Sequence, residues 1–313
     1  MIRPVLFTSH RPLERAENIK AIWDEYKGQK EFVRLNFTRD NDIFDNRRYK
    51  VLVTDEFVRK APEVCIMVTH GIVGGKTYGL TQPLPYHVKE DARLLTWVIT
   101  AGTLTKGLIA LQCGVGIDKV LALGMPRTDQ YFRNKYEKYE KRTYLYLPTY
   151  RGQLEGINPM LTTNFEKLDR MMNDNEQLLI KAHMIDVDPV MEYEHIKVIS
   201  KDEPTAEYLM RSDVIITDYS SIVFDAYICG KPVVLFAKDS GVYTLNRRMC
   251  FKYPEGYSER FADNEEELIE LVREAKEQTE IEKKLRGVVC DMCDGKSTKR
   301  VIDLITKEAN KWA

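Results

Sequence analysis

The densest chemistry in the sequence lies in the run Val214-Ile215-Ile216-Thr217-Asp218-Tyr219-Ser220-Ser221-Ile222-Val223-Phe224-Asp225, which closes at Gly230-Lys231-Pro232. An apolar strand ends at Asp218, two hydroxyls follow, and Ile222, Val223 and Ala226 then share one face of a helix. The start of such a helix presents unpaired backbone N–H groups and the positive end of its dipole. Together with Ser220 and Ser221 these make a ready phosphate site. The structural alternative is that Ser220 only caps the helix. Gly230 and Pro232 predict where the helix stops and the strand Val233–Phe236 begins.

A second run, Thr69-His70-Gly71-Ile72-Val73-Gly74-Gly75-Lys76-Thr77-Tyr78-Gly79, follows the apolar stretch Val64–Val68 and packs four glycines into nine residues. Gly75-Lys76-Thr77 fits the end of the phosphate-loop pattern G-x-x-x-x-G-K-[ST], but His70 stands where its first glycine belongs. A histidine at a strand's carboxyl end can serve as a base near neutral pH. A solvated structural histidine and a degenerate phosphate loop are the alternatives. Three smaller clusters share the strand-end address: Gly124-Met125-Pro126-Arg127-Thr128-Asp129, Pro148-Thr149-Tyr150-Arg151 and Lys181-Ala182-His183. Together they would gather Arg127, Arg151, Lys181 and His183 around one cleft, a setting that suits an anionic ligand such as a pyrophosphate. His10, His87 and His195 lack such a setting and read as structural.

The elements that must position these groups alternate between short β-branched runs and helical patterns, the mark of parallel α/β units. Strands are predicted at 5–8, 31–37, 50–54, 64–69, 95–100 and 119–123, then at 143–147, 178–181, 197–199, 214–217 and 233–236. A first helix is expected over 12–26, with Ile19, Ile22 and Trp23 on one face. Asn264 followed by Glu267 reads as a capping box opening a later helix, and a last helix is expected over 298–312. The charged stretch Arg133–Arg142 has no aliphatic residue and reads as a linker. The prediction is α/β with two facing Rossmann-type domains. Residues 1–135 would form the acceptor side, and 143–313, terminal helices included, the donor side. In such sheets ligands bind beyond the carboxyl ends of the strands.

Composition narrows the class. Lys plus Arg number 47 against 48 for Asp plus Glu in 313 residues, which disfavours a general nucleic-acid binder. Six cysteines are scattered through apolar runs and read as reduced core thiols. Cys290-x-x-Cys293 lacks the second pair that a zinc ribbon needs. No stretch approaches the roughly 20 apolar residues of a membrane span, so a cytoplasmic protein is expected. Arg247-Arg248 beside Met249 and Phe251 offers a peripheral contact with anionic lipid at the inner face of the membrane. An ordinary loop is the alternative there.

The series His70-Gly71, Gly124-x-Pro126-Arg127-x-Asp129, Pro148-Thr149-x-Arg151, Lys181-x-His183 and Thr217-Asp218-Tyr219-Ser220-Ser221 resembles the CDP-glycerol glycerophosphotransferases, the primases and polymerases of teichoic acids and some capsules. The resemblance runs from about residue 50 to 275 and implies a GT-B-like fold. It also implies transfer of glycerol phosphate, or a related polyol phosphate, from a CDP-activated donor to a lipid-linked acceptor, with release of CMP. Carried over by residue, His70 is the implied general base, and His183 contacts phosphate or assists the leaving group. Gly71, Arg127, Asp129, Thr149, Arg151, Lys181, Asp218, Ser220, Ser221 and Asp225 line the substrate site. No cofactor or metal is called for, and no Asp, Glu or His ligand cluster stands out in the sequence. Met184 stands where the family often has proline. The rival readings are a GT-B glycosyltransferase or epimerase using a UDP-sugar, and a phosphate-loop nucleotide-binding protein.

Overall fold

The computed structural model describes residues 4–35, 48–72, 74, 90–149, 151, 158–181, 193–200, 202–246 and 249–312. They form two compact units. One takes the described residues up to 72, residues 90–133 and those from Val288 onward; the other takes Gly74 and Asn134–Gly287.

Each unit is built on a six-stranded parallel sheet. In the first, the strands are β1 (Val5–Ser9), β2 (Lys30–Arg34), β3 (Val51–Thr54), β4 (Val64–Val68), β5 (Trp97–Thr100) and β6 (Val120–Ala122), in spatial order β2-β1-β3-β4-β5-β6. Side chains that alternate along β1 go to opposite faces, as the pleat requires. Val5 and Phe7 pack with Ile19 and Ile22 of the helix Glu17–Glu25 and with Val301 and Ile305 of the helix Ser297–Asn310. Leu6, between them, joins Leu52, Cys65 and Met67 under Ile109 and Cys113 of the helix Thr103–Cys113. Both faces are covered, which is why β1, β3 and β4 read as unbroken apolar runs.

The second sheet comprises β7 (Arg142–Leu147), β8 (Glu176–Ile180), β9 (Ile196–Val198), β10 (Val214–Thr217), β11 (Val233–Phe236) and β12 (Phe261–Ala262), ordered β12-β11-β10-β7-β8-β9. Tyr144, Tyr146, Ile180, Val214 and Phe236 form its core with Leu168, Leu268 and Val272. In both sheets the order reverses beside the first strand, so each has a switch point, between β1 and β3 and between β7 and β10. That is where open parallel sheets bind ligands.

The predicted α/β class holds, and the strands expected at 214–217 and 233–236 form with those bounds. Gly230 takes φ +70 after the helix Ile222–Ile228, the left-handed turn that glycine adopts without strain. Asn264 caps the helix Glu265–Glu274 by accepting from Glu267 N–H at 2.9 Å. The box closes one residue early, because Glu267 accepts from Asp263 N–H at 3.5 Å. The first helix is shorter than expected: residues 13–15 make a single 3₁₀ turn, and the α-helix starts at Glu17.

One expectation is corrected. The last helix, expected in the second domain, packs in the first unit through Val301, Ile305 and Ala309. Burying a valine or isoleucine side chain contributes about 1.5–3 kcal/mol. The open face of the first sheet therefore outweighs proximity along the chain.

Candidate active site

In the first unit, the adjacent strands β1, β3 and β4 deliver Ser9, Asp55 and His70 at their carboxyl ends. Ser9 Oγ donates to Asp55 Oδ2 at 3.1 Å, and the same oxygen lies 3.9 Å from His70 Nδ1. The Asp55 side chain is buried, whereas that of His70 is 42% exposed. A carboxylate anchored in the sheet thus faces an imidazole open to solvent, the arrangement by which a carboxylate orients a base. The separation exceeds a hydrogen bond and leaves room to tighten on a substrate. Asp55 Oδ1 is buried with no hydrogen-bond partner among the described residues.

Asn18 fixes the loop that carries His70. Its Nδ2 donates to Thr69 O at 3.1 Å while its Oδ1 accepts from Arg127 N–H at 3.0 Å. The Arg127 guanidinium is buried, with Nη1 3.6 Å from Glu17 Oε2. Asp129 has a task different from the expected one. Its oxygens accept Ser297 N–H at 3.0 Å and Thr298 N–H at 2.8 Å, so it caps the last helix instead of facing a ligand. Gly124, at φ +85, lets Met292 and Ser297 pass where a β-carbon would collide with both.

In the second unit, two motifs that lie far apart in the sequence interlock at the β7/β10 switch point. Asp218 Oδ1 accepts Thr149 N–H at 2.9 Å and Tyr219 N–H at 2.6 Å. Its Oδ2 accepts Arg151 Nη2 at 2.8 Å. Thr217 Oγ1 donates to Leu147 O at 2.7 Å just below. Arg151 is pinned from the other side by Asp239, which accepts its Nε at 2.8 Å and its Nη2 at 3.2 Å. The guanidinium carbon lies 4.8 and 4.7 Å from the ring centres of Tyr219 and Tyr243, which stack on each other. Tyr219 Oη also donates to Asp239, at 2.8 Å. Burial opposes the charge on Arg151, but its hydrogen bond to Asp239 and the charges of the two carboxylates outweigh it and hold the group cationic. Burial, then Tyr253 and Asp239, push the Tyr219 hydroxyl up, so it remains a donor. Breaking such a buried pair costs about 3–5 kcal/mol. The cluster is a fixed frame for the loops around it, with Thr149 Oγ1 left buried and without a partner among the described residues.

The profile of a family described as CDP-glycerol:poly(glycerophosphate) glycerophosphotransferase matches residues 24–307. The chain belongs to this family. Among its relatives, the teichoic acid poly(ribitol-phosphate) polymerase of Bacillus spizizenii is 25% identical over 96% of this chain. The teichoic acid glycerol-phosphate primase of Bacillus subtilis is 26% identical over 65% of it. The chain spans 56% and 60% of the lengths of these two relatives. The solved wall teichoic acid polymerase TagF shares the fold, with a TM-score of 0.78 at 16% identity, covering 100% of this chain and 90% of that one. The GT-B-like architecture implied by the sequence therefore holds.

The remaining residues singled out in the sequence have varied surroundings. Gly71 follows His70 at the end of β4, half-buried. Ser220 Oγ accepts Ile222 N–H at 3.3 Å, while Ser221, the residue just before the helix Ile222–Ile228, makes no capping bond with its side chain. Lys181, at the end of β8, donates to Ser200 O at 3.1 Å. Asp225 is wholly buried in the first turn of the Ile222–Ile228 helix. His183, and Gly75-Lys76-Thr77 of the glycine-rich loop, lie outside the described residues. Ser9, Asp55, Asn18 and Asp239 went unnoticed in the sequence. The first two stand at strand ends, the address that picked out His70, and that signal could have found them.

Proposed function

We propose that this chain transfers glycerol phosphate, or a related polyol phosphate, from a CDP-activated donor to an acceptor hydroxyl in teichoic-acid-type polymer synthesis. In the proposed step His70, oriented by Asp55, takes the hydroxyl proton as the acceptor oxygen attacks the phosphorus that bears the polyol. The bond from that phosphorus to the bridging oxygen breaks, and CMP leaves with the electron pair. The family match supports the donor class. The observation that carries the reading is the Thr149–Asp218–Arg151 interlock, which sets two of the family's motifs at the switch point of one sheet. The frame would hold the loop of Ser220 and Ser221 open to the donor's pyrophosphate, where fixed hydroxyl and N–H donors stabilise developing charge. The relatives' names include both ribitol phosphate and glycerol phosphate, and both polyols fit this scheme.

Ser220 and Ser221 test it. Losing a hydrogen bond to a charged group costs about 1.5–3 kcal/mol, roughly 10- to 150-fold in affinity. Calorimetric titration with CDP should show Ser221→Ala weakened to that degree with an unchanged thermal midpoint. Ser220→Ala should also lower stability, by about 1 kcal/mol. Unchanged CDP affinity in both variants would place the pyrophosphate elsewhere.

A peripheral membrane contact is part of the same proposal. No helix among the described residues is long and apolar enough to cross a membrane. Arg247 and Arg248 lie outside the described residues, and Met249 packs against Tyr219 and Tyr243, so the apolar part falls instead to Val242 and Leu245 of the helix Ser240–Asn246, 54% and 81% exposed. Apolar and basic side chains together favour anionic lipid surfaces. Sedimentation with anionic vesicles at low salt should carry the protein down, and absence from the pellet would remove this contact.

A further inference from the structure

The amino ends of the second sheet's strands, opposite the end that carries Asp218, hold a cluster that the proposed transfer does not use. Asp174 lies in the turn before β8, and Glu194 and His195 immediately precede β9, its parallel neighbour. One carboxylate oxygen each from Asp174 and Glu194 and one imidazole nitrogen of His195 all lie within 4.8 Å of one another. His195 is 7% exposed, and its Nδ1 has no hydrogen-bond partner among the described residues. A polar group so buried normally has a partner, so a structural histidine, the reading its sequence context suggests, leaves this one unexplained. The backbone beneath it is fixed. Asp169 accepts His195 N–H at 2.8 Å and Glu194 N–H at 3.3 Å, and Leu178 N–H donates to His195 O at 2.9 Å.

The geometry points to a divalent-cation site of the zinc class formed by Asp174, Glu194 and His195. One neutral imidazole with two carboxylates suits zinc, whereas magnesium and calcium take oxygen ligands. Ligand atoms set tetrahedrally about a zinc ion, each about 2.0–2.2 Å from it, lie roughly 3.4 Å apart. Asp174 and Glu194 are exposed, so a side-chain rotation closes the set, and water completes the fourth position. Bound there, the ion pins the turn before β8 to the start of β9. It adds stability by binding the folded chain alone.

The test uses the whole chain freed of metal by a chelator, with Zn2+ or Mg2+ then titrated at pH 7.5 by calorimetry and thermal melting. One zinc should bind per chain and raise the Tm, while magnesium at the same concentration leaves it unchanged. Asp174→Asn and Glu194→Gln, both at exposed positions, should fold normally. Each should bind zinc at least about 10-fold more weakly, and the double variant should show no Tm rise. No zinc binding by the unmodified chain would overturn the assignment. So would undiminished affinity in the double variant, which would place the metal on other groups such as the thiols.

Discussion

His70 carries the heaviest claim at the residue scale. General-base assistance is worth roughly 10²–10⁴-fold in rate, so His70→Ala should lose that much turnover while calorimetry shows CDP bound as before. Asp55, buried 3.9 Å behind His70, is assigned a positioning role in the proposed step. Asp55→Asn keeps the shape and removes the charge, so kcat should fall about 10-fold or more with little change in donor KM. Near-normal turnover in His70→Ala would remove the base, and an effect of Asp55→Asn on KM alone would remove the orienting role. His70 was legible in the sequence because a histidine after an apolar strand is conspicuous. Its partner was not, because an aspartate such as Asp55 looks like many solvated ones until the strand order sets β3 beside β4. Arg151 shows the opposite failure. It reads as a phosphate ligand, yet its guanidinium is committed to Asp218, Asp239 and Thr149 O. Only the folded chain reveals that these groups meet.

At the scale of elements, the segment Gly124–Asp129 acts as a clasp. Its expected role at the substrate came from charged residues at a strand end. Instead Asp129 takes the first N–H groups of the Ser297–Asn310 helix, and Gly124 gives room for the chain that leads into it. Losing a helix cap costs about 0.5–2 kcal/mol, and a carboxylate there also meets the helix dipole. Asp129→Ala should therefore lower stability in denaturant melts by about 1–2 kcal/mol and leave CDP affinity within twofold. A variant with unchanged stability and lost CDP binding would restore Asp129 to the ligand site. The same comparison explains what the sequence could show of the elements. Strands announce themselves by composition, as Val214–Thr217 does, whereas a cap whose partner lies 168 residues away leaves no local trace.

Across the whole molecule, the alternation of strands and helices announced two parallel sheets, and both formed. The return of the last helix to the first unit was hidden, since an amphipathic pattern tells which face is buried and not against what. In the proposed transfer a CDP-activated polyol is the donor and a hydroxyl is the acceptor. The most direct measurement is CMP release by the purified chain given a lipid-linked acceptor and, in turn, CDP-glycerol, CDP-ribitol and several UDP-sugars. CMP should appear with at least one CDP-polyol, fall at least about 10²-fold in His70→Ala, and be matched by no turnover of any UDP-sugar. Turnover of a UDP-sugar with no CMP from either CDP-polyol would contradict the account.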